Sequence, residues 1–152
     1  MNVRQLMTEH PTTCRVGDSA SDAARIMWDC DCGAVPVLDD QDRVAGIVTD
    51  RDICMAAYFQ GRPLAQIEVS GIMSRDLCTC AADDDVTAAE RTMRENQVRR
   101  LPVVENGGRS LVGILSLSDV VRGVKQERTN GRSGEEFIRT VEKISEPRMS
   151  TT

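Results

Sequence analysis

The sequence repeats itself. Setting Met7 against Met73 brings two halves into register at a spacing of 66 residues, with Val3 meeting Val69, Thr13 meeting Thr79, Cys14 meeting Cys80 and Asp18 meeting Asp84. Further along, Ala23 meets Ala89, Arg25 meets Arg91, Met27 meets Met93, Pro36-Val37 meets Pro102-Val103 and Arg43 meets Arg109. One extra residue near Ser110 lengthens the spacing to 67, so that Gly46, Ile47 and Asp52 meet Gly113, Ile114 and Asp119. A duplicated unit of roughly seventy residues constrains the fold more than composition can. Neither copy buries enough apolar surface to be trusted alone, so the two are expected to pack together.

The best-matched stretch is a heptapeptide, Gly46-Ile47-Val48-Thr49-Asp50-Arg51-Asp52, with its second copy Gly113-Ile114-Leu115-Ser116-Leu117-Ser118-Asp119. Each reads as the end of an apolar strand that turns directly into a helix. A helix start offers unpaired N–H groups and the positive end of the dipole, which suits a phosphate. Thr49 or Ser116 would add a hydroxyl, and Asp52 or Asp119 could accept from a ribose diol. A plainer reading of the same residues is that Thr49 and Ser116 are N-caps and the aspartates first-turn charges. The duplication favours the first reading.

The order of elements is the same in both copies. In the first, Thr12 to Val16 is extended, Ser19 opens a helix through a capping-box pattern with Asp22, Cys32 to Leu38 and Val44 to Val48 are strands, and Asp50 to about Phe59 is a helix ended by Gly61 and Pro63. In the second, Asp85 takes the N-cap place, and Val86, Ala89 and Met93 line the buried face of a helix. On that helix Arg91, Arg94 and Glu95 read as solvated charges. Leu101 to Val104, the turn Asn106-Gly107-Gly108 and Leu111 to Leu115 make a hairpin before a helix from Ser118 to about Gln126. The expected architecture is α/β (α+β): two tandem β-α-β-β-α repeats about a pseudo-twofold axis. Residues 1–66 form the first repeat, 67–126 the second, and 127–152 a tail. In that tail Thr129 to Gly134 reads as a flexible linker, and Glu135 to Ile144 either as a short amphipathic helix docked on a partner subunit or as a frayed end.

The repeat resembles the cystathionine-beta-synthase (CBS) domain, and the chain resembles a stand-alone CBS pair. The residues that carry the likeness are Val3 to Met7 with Val69 to Met73, Ala34 to Leu38 with Arg100 to Val104, and the two heptapeptides. The resemblance implies a non-catalytic regulatory, signal-transducing module that binds adenosine-containing ligands such as AMP, ADP, ATP, NAD or S-adenosylmethionine in clefts between the repeats. It requires no cofactor. Carried onto this chain, one site would use Thr49, Arg51 and Asp52, with Thr13 and Val35 near the base. The other would use Ser116, Ser118 and Asp119, with Thr79 and Leu101 near the base and Arg99 and Arg100 toward phosphate. The first site has Gly33-Ala34 where the second has Arg99-Arg100, so the second is expected to be phosphate-rich; the plainer reading of those arginines is a solvated pair. The family likeness further implies a homodimer and a regulated partner protein.

Composition narrows the alternatives. A net charge of −5 argues against nucleic-acid binding by bulk electrostatics. With no long apolar run and no signal-peptide pattern, a cytoplasmic protein without membrane contact is expected. Aromatics are only 3 % of the chain, so the core must be aliphatic. Six cysteines, among them Cys30-Asp31-Cys32 and Cys78-Thr79-Cys80, read first as reduced structural residues. C-x-C is not the spacing of a zinc knuckle and His10 is the only histidine, so no metal site is assigned. A cysteine-based redox or metal sensor on the same scaffold is the alternative. An enzyme fares worst, because His10 has no evident nucleophile beside it.

Overall fold

The computed structural model describes residues 1–105, 107–128 and 134–147, without the side chains of residues 124–128. Asn106 and most of the Thr129 to Gly134 linker lie outside the described residues. The chain divides into two compact units. One comprises His10–Leu77 with Arg109–Leu111, and the other comprises Met1–Glu9, Cys78–Gly108 and the chain from Val112 on.

In the unit built on His10–Leu77, strand β2 (Cys14–Arg15) runs parallel to β3 (Ala34–Leu38), which pairs antiparallel with β4 (Val44–Thr49). Along β4 the burial alternates, with Val44, Gly46 and Val48 inside, as a strand with one covered face requires. Helix α1 (Ala20–Asp29) starts at Ser19, whose hydroxyl accepts from the Asp22 amide while the Asp22 carboxylate accepts from the Ser19 amide. Ala20, Ala23 and Met27 are its buried stripe. Small residues there let the helix lie close to Val35, Val37 and Val48 in one aliphatic cluster. Helix α2 (Asp50–Gln60) ends at Gly61, left-handed at φ 59°, a conformation that suits a residue without Cβ.

The other unit repeats this plan with one more strand: β1 (Thr8–Glu9), β7 (Leu111–Ser116), β6 (Arg100–Val104) and β5 (Cys80–Ala81) lie side by side in that order. Helix α3 (Val86–Asn96) is capped by Asp85, and α4 (Leu117–Arg128) follows β7 without a break. The tail helix, α5 (Glu135–Ser145), packs on α3. Ile144 is buried in the cluster of Ala89, Met93 and Leu101, and Phe137 lies against it. Arg94, read from sequence as solvated, is half-buried and bonds Glu136 of α5 at 2.7 Å. The tail therefore docks within its own unit.

The segments that precede the repeats are exchanged between them. Val3 is fully buried in the core with Val86, Leu101 and Leu115, and its amide donates to the Asp84 carbonyl at 2.9 Å. Thr8 and Glu9 then pair with Ile114 and Gly113. Sequence order places residues 1–66 in the first repeat, yet Val3, with Met1, Leu6 and Met7, packs in the core of the second. Val69 does the same for the first: it is fully buried, its amide donates to Asp18, and Ser74 bridges Ile47.

The glycine of each heptapeptide makes this crossing possible. A Cβ on Gly46 would stand 2.6 Å from the Ser74 carbonyl oxygen and 2.7 Å from Met73 Sδ. On Gly113 it would stand 2.6 Å from Met7 Sδ and 2.9 Å from the Thr8 carbonyl oxygen. Those gaps are too short for any side chain, so glycine here serves close backbone approach.

Candidate functional site

Each candidate site is a strand that becomes a helix with no intervening loop. At the end of β4 the Thr49 hydroxyl accepts from the Asp52 amide at 3.2 Å, and Asp52 Oδ2 accepts from the Thr49 amide at 2.8 Å. At the end of β7 the Ser116 hydroxyl accepts from the Asp119 amide at 3.3 Å, while Asp119 Oδ2 accepts from the Ser116 amide at 2.7 Å. The capping function read as the plainer alternative is thus real in both copies, and it fixes both side chains at the helix start.

The two turns differ in what surrounds them. Asp52 is half-buried, and its Oδ1 makes no hydrogen bond among the described residues. Asp119 is 3 % exposed; its Oδ2 also accepts from the Ser116 hydroxyl, and its Oδ1 accepts from the Arg122 guanidinium. Ser118 shares a hydrogen bond with Ser116 at 2.7 Å. Arg122 was not among the residues singled out from the sequence, although its position three residues after Asp119 on a helix was a legible signal. The place of Arg122 in the repeat is held by Met55 in α2.

The structure gathers the remaining candidates as follows. Ala34 pairs with Thr49 across the β3–β4 ladder, and the Gly33 carbonyl accepts from the Asp50 amide at 3.1 Å. In the other unit the Arg99 carbonyl accepts from the Leu117 amide at 2.9 Å, and Arg100 begins the strand beside β7. Arg99 is exposed and Arg100 half-buried. Thr13 and Thr79 are half-buried and immediately precede β2 and β5. Arg51 is exposed on the first turn of α2. Val35 and Leu101 are fully buried core side chains, which leaves their backbone, not their side chains, for contact with a ligand.

The cysteines separate by burial. Cys14 and Cys80 are buried, and burial, aided by Asp18 and Asp84 respectively, pushes their thiols up to about 11 and about 12. Cys30 and Cys54 are exposed. Among the described residues no three histidine, cysteine or acidic side chains stand close enough to hold a metal ion. No described helix is long and apolar enough to cross a membrane.

A duplicated β-α-β-β-α unit, with a capped hydroxyl-x-x-aspartate turn at the equivalent place in each copy, defines a tandem-repeat module. Residues 3–58 and 69–126 each match the model of the CBS domain, so the chain belongs to the CBS domain family and carries the domain twice. It is 34 % identical over 133 residues to the uncharacterized protein YlbB of Bacillus subtilis, covering 87 % of this chain and 86 % of that one. Solved structures share its fold, among them the two that follow. Hypoxic Response Protein I, crystallised with two coordinated zinc ions, superposes with a TM-score of 0.73 at 29 % identity, over 80 % of this chain and 98 % of that one. CBSX2 in complex with AMP gives 0.72 at 26 % identity, over 84 % and 98 %.

Proposed function

We propose that the chain is a non-catalytic regulatory module that binds adenosine-containing ligands at the two capped turns, Thr49–Asp52 and Ser116–Asp119. The observation that supports it most is the duplicated geometry: each turn presents helix N-terminal amides, a fixed hydroxyl and an aspartate held in place by the cap. The AMP complex of CBSX2 supports the ligand class. Asp52 and Asp119 would accept from the ribose diol, Thr49, Ser116 and Ser118 would contact ribose or phosphate, and Arg51, Arg99 and Arg100 would meet phosphate. Thr13 and Thr79, with the backbone at Val35 and Leu101, would lie near the base.

In this reading the signal is carried by a differential fit of ligand to two arrangements of the chain, and a homodimer in the cytoplasm passes it to a regulated protein. Incubation of the protein with AMP, ADP, ATP and NAD, followed by chromatography, tests the absence of catalysis: the nucleotides are recovered unchanged, and stoichiometric conversion would refute it. A cysteine-based sensor is the weaker reading, since two of the thiols are buried and held protonated.

A further inference from the structure

The two turns share their caps but not their cations. Around Ser116–Asp119 stand Arg122, on Asp119 itself, Arg99, whose carbonyl holds the first amide of α4, and Arg100, next along β6. The same three repeat positions around Thr49–Asp52 are Met55, Gly33 and Ala34, and the cation there is Arg51, flanked by Asp50 and Asp52. Resting on the adenosine-ligand reading above, we infer that the two turns take ligands of different charge. The Ser116–Asp119 turn selects a nucleoside polyphosphate, the Thr49–Asp52 turn accepts a nucleoside carrying little or no phosphate, and Arg122 determines the difference.

The mechanism is an exchange of anions. A ribose diol that binds Asp119 must share Oδ1 with Arg122 or displace it, because Oδ2 is already engaged by the Ser116 amide and hydroxyl. Arg122 is a side chain 66 % exposed on the first turns of α4, so it is free to swing away. Displacing it without offering a replacement anion leaves a guanidinium that has lost its charge-assisted hydrogen bond. A di- or triphosphate supplies that replacement; a bare nucleoside does not. At Asp52 no cation has to be displaced, so the diol meets a carboxylate oxygen without a competitor among the described residues. There Asp50 and Asp52 offset Arg51 and disfavour more negative charge than a single phosphate carries.

The test titrates the full chain calorimetrically with adenosine, AMP and ATP, in wild type, Asp52→Asn and Asp119→Asn. In Asp52→Asn, which reports the Ser116–Asp119 turn, ATP binds about tenfold or more tighter than adenosine, one charge-assisted bond's worth. In Asp119→Asn that order disappears or inverts. Arg122→Met, checked for an intact fold by circular dichroism because it leaves the nearly buried Asp119 Oδ1 without that partner, carries the decision if Asp119→Asn fails to fold. Placed in Asp52→Asn, it lowers the ATP-to-adenosine ratio about tenfold, partly by raising adenosine affinity. Equal ranking of the three ligands at both turns, or an unchanged ratio in Arg122→Met, overturns the inference and leaves the adenosine-ligand reading standing. Failure of wild type to bind any of the three overturns both.

Discussion

Replacing Gly46 by alanine tests why the heptapeptide begins with glycine. The new methyl carbon would lie 2.6 Å from the Ser74 carbonyl oxygen and 2.7 Å from Met73 Sδ. Met73 can rotate its thioether away, but Ser74 is held by reciprocal backbone bonds with Ile47 at 2.9 and 3.2 Å, so the carbonyl yields only if the bridge yields. Overpacking of this kind costs roughly 1–3 kcal/mol, against which alanine gains about 0.4–1 kcal/mol by restricting the unfolded chain. Because the obstacle is backbone, the upper half of that cost applies, and a net loss of about 1–2.6 kcal/mol is expected, or roughly 2–10 °C in Tm at about 2–4 °C per kcal/mol. Gly113→Ala should cost less, because its nearest obstacle is the flexible Met7 Sδ at 2.6 Å and the Thr8 carbonyl oxygen stands farther off at 2.9 Å. The decisive measurement is a pair of double-mutant cycles by urea denaturation. Met7→Ala should restore most of the Gly113→Ala loss, whereas Met73→Ala should restore less than half of the Gly46→Ala loss. A Gly46→Ala protein as stable as wild type, or one fully rescued by Met73→Ala, would refute the close-approach account.

Other consequences follow from burial and charge. Val3→Ala removes two buried methyl equivalents from the second repeat's core and should cost about 1–3 kcal/mol, with amide exchange accelerated in β5, β6 and β7 more than in β2, β3 and β4; the reverse pattern would show that residues 1–9 belong elsewhere. Iodoacetamide at neutral pH should label Cys30 and Cys54 in the native protein and spare Cys14 and Cys80, held protonated up to about 11 and about 12, until denaturant is added. The Glu136 carboxyl is held below its ordinary value of 4.5 by the hydrogen bond and charge of Arg94. The contribution of that pair to α5 docking is therefore complete above 4.5 and is lost as pH falls through the lowered folded value. Amide exchange of α5 followed from neutral pH downward through the acid range below 4.5 should show selective loss of protection, absent in Glu136→Gln.

Much of this fold was legible because it is written twice. Ser19-x-x-Asp22, Thr49-x-x-Asp52 and Ser116-x-x-Asp119 all form the reciprocal caps that their spacing suggests, since capping is local and depends on four consecutive residues of backbone. The exchange of the leading segments was not legible in the same way. Val3 and Val69 are equally apolar and equally placed in their repeats, and either core would accept either valine; the choice depends on where the chain is carried, not on the residue. Arg94 misled for a related reason: helical periodicity marks it as outward-facing, which it is, but outward is where α5 docks. Arg122 has no counterpart in the other copy, where Met55 holds its place, so the duplication that marks the aspartates does not mark it, although it bonds Asp119 from the next turn of the same helix.

The central claim, that the capped turns hold adenosine-containing ligands, is tested most directly by thermal denaturation of the full chain with adenosine, AMP and ATP, in wild type, Asp52→Ala and Asp119→Ala. A ligand bound only by the folded state stabilises it by about 2.7 kcal/mol at a hundred times its Kd. The account predicts a saturable rise in the melting temperature of wild type that is reduced in at least one variant whose own fold is intact by circular dichroism. An unchanged midpoint at every concentration of all three ligands, or an equal rise in all three proteins, would contradict it.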